Sequence, residues 1–124
     1  MPAVRTEAAS MARTALALFF KISGKLQTTE ADQAALLGVA GRTVRRYRNG
    51  EALPDAHDTL ERISHFTTIW LDLNALFRTE EGVMRWLRSP NQKFGGQSPF
   101  ERMLAGNVSD LVDVRYDVEA ALVA

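Results

Sequence analysis

The spacing of apolar and polar residues is helical along almost the entire chain. Apolar residues recur every three to four positions, and no stretch alternates between apolar and polar residues as a half-buried strand would. A first predicted helix covers residues 3–22, and the chain then breaks or frays over residues 21–27. The predicted buried stripe of this helix consists of Met11, Ala15, Leu18, Phe19, Ile22 and, beyond its end, Leu26. The pattern predicts an all-α protein.

Capping residues and helix breakers divide the rest of the chain into six further helices. Ser98 and Glu101 have the spacing of a capping box, in which each side chain accepts a hydrogen bond from the backbone N–H of the other residue. Thr29 is an N-cap with Asp32 three places later, and Gly38 is the usual residue for a left-handed helix end. Pro54 prevents a helix across the linker at residues 51–55. The predicted helices cover residues 29–38, 41–49, 55–77, 80–87, 98–106 and 107–124, with a loop at residues 89–97.

The net charge is zero, but the charges are unevenly distributed. Residues 1–50 contain eight Lys or Arg against three Asp or Glu, a balance of +5, and residues 51–124 contain seven against twelve, a balance of −5. Phosphate attraction usually leaves a basic signature on a nucleic-acid-binding domain. The asymmetry therefore suggests two faces with different partners, although an ordinary mixed surface can produce the same split.

Composition excludes several kinds of site and location. The chain has no cysteine, so it has no disulfide and no thiolate metal site, and its two histidines, His57 and His65, are too few to form a metal site alone. The longest apolar run, residues 15–20, is far shorter than the roughly 20 residues that a bilayer requires. The first residues lack the basic start and small-residue cleavage site of a signal peptide. We expect a cytoplasmic protein with no metal, no cofactor and no membrane partner.

Residues 34–50 have the spacing of a helix-turn-helix. This motif needs a small residue where its helices cross, a tight turn between them, and a branched apolar residue that holds the second helix on the first. Ala34 is the small residue, Gly38 lies in the turn four places later, and Val44 follows six places after that. The second helix of such a motif is the one that enters the major groove of DNA.

The second helix of this motif has a cationic face. At about 100° per residue, Arg45, Arg46 and Asn49 lie within about 60° of Arg42. Arg42 is the first candidate for a base contact, because N-terminal residues of a recognition helix lie nearest the base edges and arginine can bond guanine O6 and N7 together. Arg45 and Arg46 are the next candidates, and Thr43 and Asn49 are candidates for phosphate contacts. The alternative is a solvated helix that contacts no DNA.

Three segments of the chain carry a resemblance to a known family. They are TTEADQAALLGVAGRTVRRYRNG, then LERISHFTTIWLDLNALF, then MRWLRSPNQKFGGQSPFERMLAGNVSDLVDVRY. In this order they resemble the MbcA/ParS/Xre antitoxins, the partners of RES-domain toxins, over residues 28–116. The most specific part is residues 86–106, since helix-turn-helix motifs are common whereas this loop and cap are not. The chain departs from the family near its end, where Arg115 and Tyr116 are followed by Asp117 and Val118 instead of Leu-Asp.

The resemblance implies three parts and two macromolecular partners. The parts are an Xre-like DNA-binding part at residues 1–54, a long connecting helix at residues 55–78 and a toxin-binding part at residues 79–124. The partners are operator DNA, which a homodimer binds to repress its own operon, and a RES-domain toxin that consumes NAD. The resemblance also implies that residues 89–99, 100–104 and the final helix cover the entrance to the toxin's active site. Arg115, Tyr116 and Asp117 are the predicted contacts in the final helix.

The loop after residue 88 has features of an interface. Glycines such as Gly95 and Gly96 allow another backbone to approach closely, and aromatic side chains dominate interfaces when they are exposed. Phe94 is the interface candidate, whereas Trp86 and Phe100 fit core positions better. The alternative is that the two glycines only form a turn and that the acidic residues of the final helix form a solvated face.

Catalysis has little support in the sequence. There is no cysteine nucleophile, and no spacing suggests a histidine base held by a carboxylate. We therefore predict no catalytic residues, no enzyme activity and no small-molecule substrate. Three hypotheses remain: an antitoxin and autorepressor, a stand-alone helix-turn-helix regulator whose C-terminal region dimerises, and a small helical enzyme or NAD-binding protein.

Overall fold

The chain is all-α, as the apolar pattern predicts. The computed structural model describes the backbone of residues 2–124 and the side chains of residues 7–124, so that Met1, the first residue of the predicted N-terminal part, lies outside it. Within this range there are seven α-helices, one 3-10 turn and no strand. The helices are Pro2–Lys25 (α1), Glu30–Leu37 (α2), Gly41–Arg48 (α3), His57–Phe77 (α4), Glu80–Arg88 (α5), Pro99–Met103 (α6) and Val108–Val123 (α7).

The residues form two compact units, Met1–Ser64 and His65–Ala124, and the division falls within α4. In the first unit α2 packs on α3, and in the second α6 packs on both α5 and α7. The buried apolar residues of the first unit include Leu16, Phe19, Ile22, Leu26, Leu36, Leu37, Val44 and Ile63. Those of the second unit include Phe66, Ile69, Trp70, Leu73, Val83, Leu87, Phe94, Phe100, Met103, Leu111, Val114 and Val118. The division into three parts stays a prediction.

Local capping chemistry explains most helix bounds. The capping boxes of α2 and α6 are both formed, and Asn107 with Asp110 forms a third at the start of α7. Two predicted ends are wrong. Helix α1 continues one turn further, to Lys25, and α6 stops at Met103, because the chain reaches Gly106 through a turn rather than a helix. The predicted loop at residues 89–97 also contains a 3-10 turn, Gln92–Phe94.

The predicted stripe of α1 is partly wrong. Met11 is 73% exposed and Leu18 is 38% exposed, whereas Ala12 and Leu16 are buried. Phe19 belongs to both the predicted and the observed stripe and is buried. The helix is apolar around much of its circumference, so its periodicity fits two neighbouring stripes equally well and cannot choose between them.

Candidate functional site

The turn of the helix-turn-helix has the conformation that its sequence predicts. The Thr29 hydroxyl accepts from the Asp32 N–H at 3.1 Å, and the Asp32 carboxylate accepts from the Thr29 N–H at 2.9 Å. Gly38 ends α2 with φ +69°, and its N–H donates to the Ala34 carbonyl. Val44, the predicted locking residue, is completely buried. The predicted left-handed end at Gly38 is therefore confirmed, and Val44 is buried as its predicted locking role requires.

A buried arginine supports this turn, and sequence reasoning missed it. Arg62 on α4 is 8% exposed, and its Nε donates to the Asp58 carboxylate at 2.9 Å. Its Nη1 donates to the Ala35 carbonyl at 3.3 Å, one of the carbonyls that the end of α2 leaves without a helical partner. A Cβ at position 38 would lie 2.7 Å from the Arg62 guanidinium carbon. Gly38 therefore provides both the left-handed backbone and the space for Arg62.

Three of the five predicted DNA-binding residues share the outer face of α3. Arg42, Arg46 and Asn49 are exposed, and neither arginine has a hydrogen bond or ion pair with any residue whose side chain the structure describes. Thr43 is half-buried and lies about 100° around the helix from Arg42. Arg42 and Arg46 can therefore meet a ligand without breaking an internal bond.

The other two arginines of α3 are held by the protein itself. The Arg45 guanidinium donates to the Glu30 carboxylate at 2.5 Å. Arg48 donates to the Gln33 side-chain oxygen at 2.7 Å, lies 3.7 Å from Glu30, and stacks over the Phe20 ring at 5.5 Å. Glu30 follows the N-cap of α2 and is 15 residues from Arg45, so only the packing of α2 on α3 reveals this pairing.

Tyr47 lies on the inner side of α3. Burial raises the pKa of its hydroxyl, the nearby carboxylate of Asp55 adds to the rise, and the Arg46 guanidinium opposes it. Tyr47 is therefore a neutral phenol at physiological pH, and the charge of α3 is carried by its arginines alone.

The predicted toxin-binding loop is ordered by its own hydrogen bonds. The Asn91 side chain accepts from the Lys93 N–H at 2.9 Å, and the Asn91 N–H donates to the Gln97 carbonyl at 3.0 Å. Gly95 and Gly96 are exposed with φ +66° and +89°, and apart from their chain neighbours no described residue lies within 4 Å of where their Cβ atoms would be. The two glycines therefore form an open, left-handed tip.

Phe94 does not have the exposed position expected of an interface anchor. Its ring is only 4% exposed, because the 3-10 turn folds it inward, and the Arg102 guanidinium lies over it at 5.5 Å. Phe100 is also buried, beneath the guanidinium of Arg88 at 4.6 Å, as its core assignment predicts. Phe94 supports the glycine tip from inside the second unit.

The three predicted residues of α7 have different surroundings. Tyr116 is 65% exposed. The Lys93 ammonium donates to the Asp117 carboxylate at 2.7 Å, so that this pair joins the loop to α7. The Arg115 Nε donates to Glu119 at 2.9 Å, and its Nη1 lies 3.0 Å from His65 Nδ1. Because arginine can only donate, His65 Nδ1 is the acceptor of that bond.

Comparison with known proteins assigns both units. Residues 6–67 match the antitoxin Xre-like helix-turn-helix domain. Residues 72–120 match the antitoxin Xre/MbcA/ParS C-terminal toxin-binding domain. The chain belongs to the Xre/MbcA/ParS antitoxin family. The resemblance seen in the sequence is confirmed.

Two relatives are similar to this antitoxin over most of its length. An uncharacterised protein of Sinorhizobium fredii (strain NBRC 101917 / NGR234) is 39% identical over 107 residues, which span 85% of the antitoxin and 81% of the relative. A probable mycobacterial cidal antitoxin of Mycobacterium tuberculosis (strain ATCC 25618 / H37Rv) is 29% identical over 83 residues, which span 67% of the antitoxin and 69% of that relative.

Two further observations concern what the antitoxin's described residues lack. Among the side chains of residues 7–124, no three His, Cys, Asp or Glu residues are grouped as metal ligands. None of the described helices combines the length and the apolar character needed to cross a bilayer.

Proposed function

We propose that this antitoxin binds and neutralises a RES-domain, NAD-consuming toxin in the cytoplasm and represses its own operon as a DNA-binding homodimer. It acts without catalysis or a cofactor. The observation that carries this proposal is the presence, in one chain, of a helix-turn-helix with two free arginines and of a toxin-binding domain.

The proposed DNA contacts follow from the state of the arginines on α3. Arg42 lies on the first turn and Arg46 one turn later on the same exposed face. Guanidinium groups without internal partners lose no protein contact when they bond guanine O6 and N7 in the major groove. Thr43 and Asn49 lie on either side of this pair and fit phosphate contacts. Arg45, which Glu30 holds, contributes less.

The proposed toxin contacts come from the loop and α7. Gly95 and Gly96 provide a tip without side chains that can approach the toxin backbone. Tyr116 is the exposed aromatic residue that can serve as an anchor. Asp117 and Arg115 are held by Lys93 and by His65 with Glu119, so these charges are already positioned before the toxin binds. Phe94 acts by supporting the loop.

Co-expression with a RES-domain protein, sought among the products of the neighbouring genes, tests the neutralisation. The toxin alone should arrest growth and lower cellular NAD, and co-expression of the antitoxin should restore both. The two proteins should also co-purify as a stoichiometric complex. If growth arrest persists although the antitoxin is present in soluble form, the neutralising role is wrong. If operator binding persists in the same preparation, the chain is a stand-alone regulator whose C-terminal region serves another purpose, such as dimerisation.

A further inference from the structure

The four arginines of α3 form two neighbouring stripes with different surroundings. At about 100° per residue, Arg42 and Arg46 lie about 40° apart on one stripe, and Arg45 and Arg48 lie about 60° apart on the next. The first stripe is free, whereas both arginines of the second face Glu30. One carboxylate oxygen contacts Arg45, and the other lies 3.7 Å from Arg48. A single acidic residue thus pairs with two of the four arginines on α3.

The surroundings of Glu30 keep its carboxylate in this position. A Cβ at position 41 would lie 3.2 Å from the Glu30 Oε1 atom, so that the glycine there leaves room for the carboxylate beside the start of α3. Gln33 and the Phe20 ring hold Arg48 from two other directions. The Glu30 side chain is still 35% exposed, so this ion-pair cluster is open to solvent. DNA phosphates can therefore compete with the Glu30 carboxylate for Arg45 and Arg48.

We propose that Glu30 is a specificity-determining residue of the DNA-binding surface, which weakens binding to non-operator DNA by occupying Arg45 and Arg48. The inference rests on the DNA-binding role proposed above. Phosphate attraction does not depend on base sequence, so on non-operator DNA, where no base contact fixes the position of α3, an unpaired arginine can meet any phosphate within reach. On the operator, base contacts by Arg42 and Arg46 fix the position of α3, so Arg45 and Arg48 gain less from being unpaired there. The internal pairing of Arg45 and Arg48 therefore weakens binding to non-operator DNA and leaves the base contacts of Arg42 and Arg46 intact.

The test compares Glu30→Gln with Glu7→Gln, in the purified full chain. Glu7 is an exposed residue of α1, so its substitution makes the same change in net charge away from α3. Fluorescence anisotropy gives the affinity for the DNA upstream of the gene and for a scrambled duplex over a range of salt concentrations. Glu30→Gln should bind the scrambled duplex on the order of 3- to 10-fold more tightly at 0.1 M salt and the operator less than that. Its salt slope should steepen by about 0.9 to 1.8, the equivalent of one or two more phosphates.

A second variant separates this role from a merely structural one. Glu30→Gln combined with Arg45→Gln should return the affinity for scrambled DNA close to that of the wild type, because Arg45, the cation in closest contact with Glu30, is then absent while Gln33 and Phe20 still hold Arg48. Equal effects of Glu30→Gln and Glu7→Gln, or an equal gain on operator and scrambled DNA, would overturn the inference while leaving the DNA-binding role intact. A wild-type antitoxin that binds no operator would overturn both.

Discussion

At the scale of single residues, Gly38 has one role that the sequence predicts and one that it does not. Its position after an apolar helix predicts a left-handed helix end, and that prediction is confirmed. The second reason for a glycine, the Arg62 guanidinium that occupies the space of a Cβ, depends on a residue 24 positions away on another helix. The pairing of Glu30 with Arg45 was hidden for the same reason. Such contacts follow from packing rather than from local pattern.

The two roles of Gly38 can be separated by substitution. Gly50 also has a positive φ, +76°, but has open space around its Cβ position, so Gly50→Ala is a control for backbone strain alone. We expect Gly50→Ala to lower the free energy of unfolding by about 1–2 kcal/mol. Gly38→Ala should cost about 1–2 kcal/mol more, because Arg62 must give up its hydrogen bonds to Asp58 and Ala35. Urea denaturation measures both, and equal losses would contradict the role assigned to Arg62.

At the scale of helices, ends were easier to predict than faces. Caps are local, so Thr29 and Ser98 predicted the starts of α2 and α6 without knowledge of the tertiary structure. The buried face of α1 cannot be chosen from its own sequence, because apolar residues lie on nearly every side of that helix. The burial of Phe94 cannot be predicted from the sequence, because the short 3-10 turn that buries it has no periodicity. Its candidacy as an interface anchor rested on residue type alone.

The capping box of α6 predicts a stability that depends on pH. The hydrogen bond from the Ser98 backbone N–H, and then that with the Ser98 side chain, lower the pKa of Glu101 from its usual value near 4.5. A lowered folded pKa means that the carboxylate's contribution is fully present above about pH 4.5 and is lost as the pH falls through the folded value. Glu101→Gln can still accept the hydrogen bond but has no charge to titrate.

The wild type should therefore be more stable than Glu101→Gln at pH 7, and the difference should shrink as the pH falls below about 4.5. Denaturation with urea at a series of pH values measures this difference. Glu81→Gln is the control, because Glu81 is an exposed carboxylate in the first turn of α5 and has no capping hydrogen bond among the described residues. A difference for Glu101→Gln that stays constant down to pH 3 would contradict the assigned pKa shift.

At the scale of the whole molecule, the chain combines two family segments with an uneven distribution of charge. The first 50 residues carry the charge balance of +5 and contain the helix-turn-helix, and the remaining residues carry −5 and contain the toxin-binding domain. Order and type of both segments were predictable from the sequence. The sequence did not predict which arginines pair with acidic residues or which aromatic rings are buried, because both depend on how the helices pack.

DNA binding and neutralisation should therefore be separable by mutation. Arg42→Ala with Arg46→Ala should weaken operator binding by at least about 30-fold, since each bidentate arginine–guanine contact contributes about 1–3 kcal/mol. The same variant should still neutralise the toxin. Lys21→Ala with Arg85→Ala removes two exposed positive charges elsewhere and should change operator affinity much less. Conversely, Tyr116→Ala should weaken toxin binding by roughly 10-fold or more and leave operator binding unchanged, because an exposed ring contributes little to the fold.

Operator affinity by anisotropy, toxin affinity by calorimetry and growth rescue together measure the separation. A loss of both activities in the arginine variant, with an unchanged melting temperature, would mean that α3 also takes part in toxin binding. The assignment of one partner to each unit would then be wrong. An arginine variant that binds the operator like the wild type would instead remove α3 as the recognition helix, because no other described helix combines the helix-turn-helix position with unpaired arginines on one face.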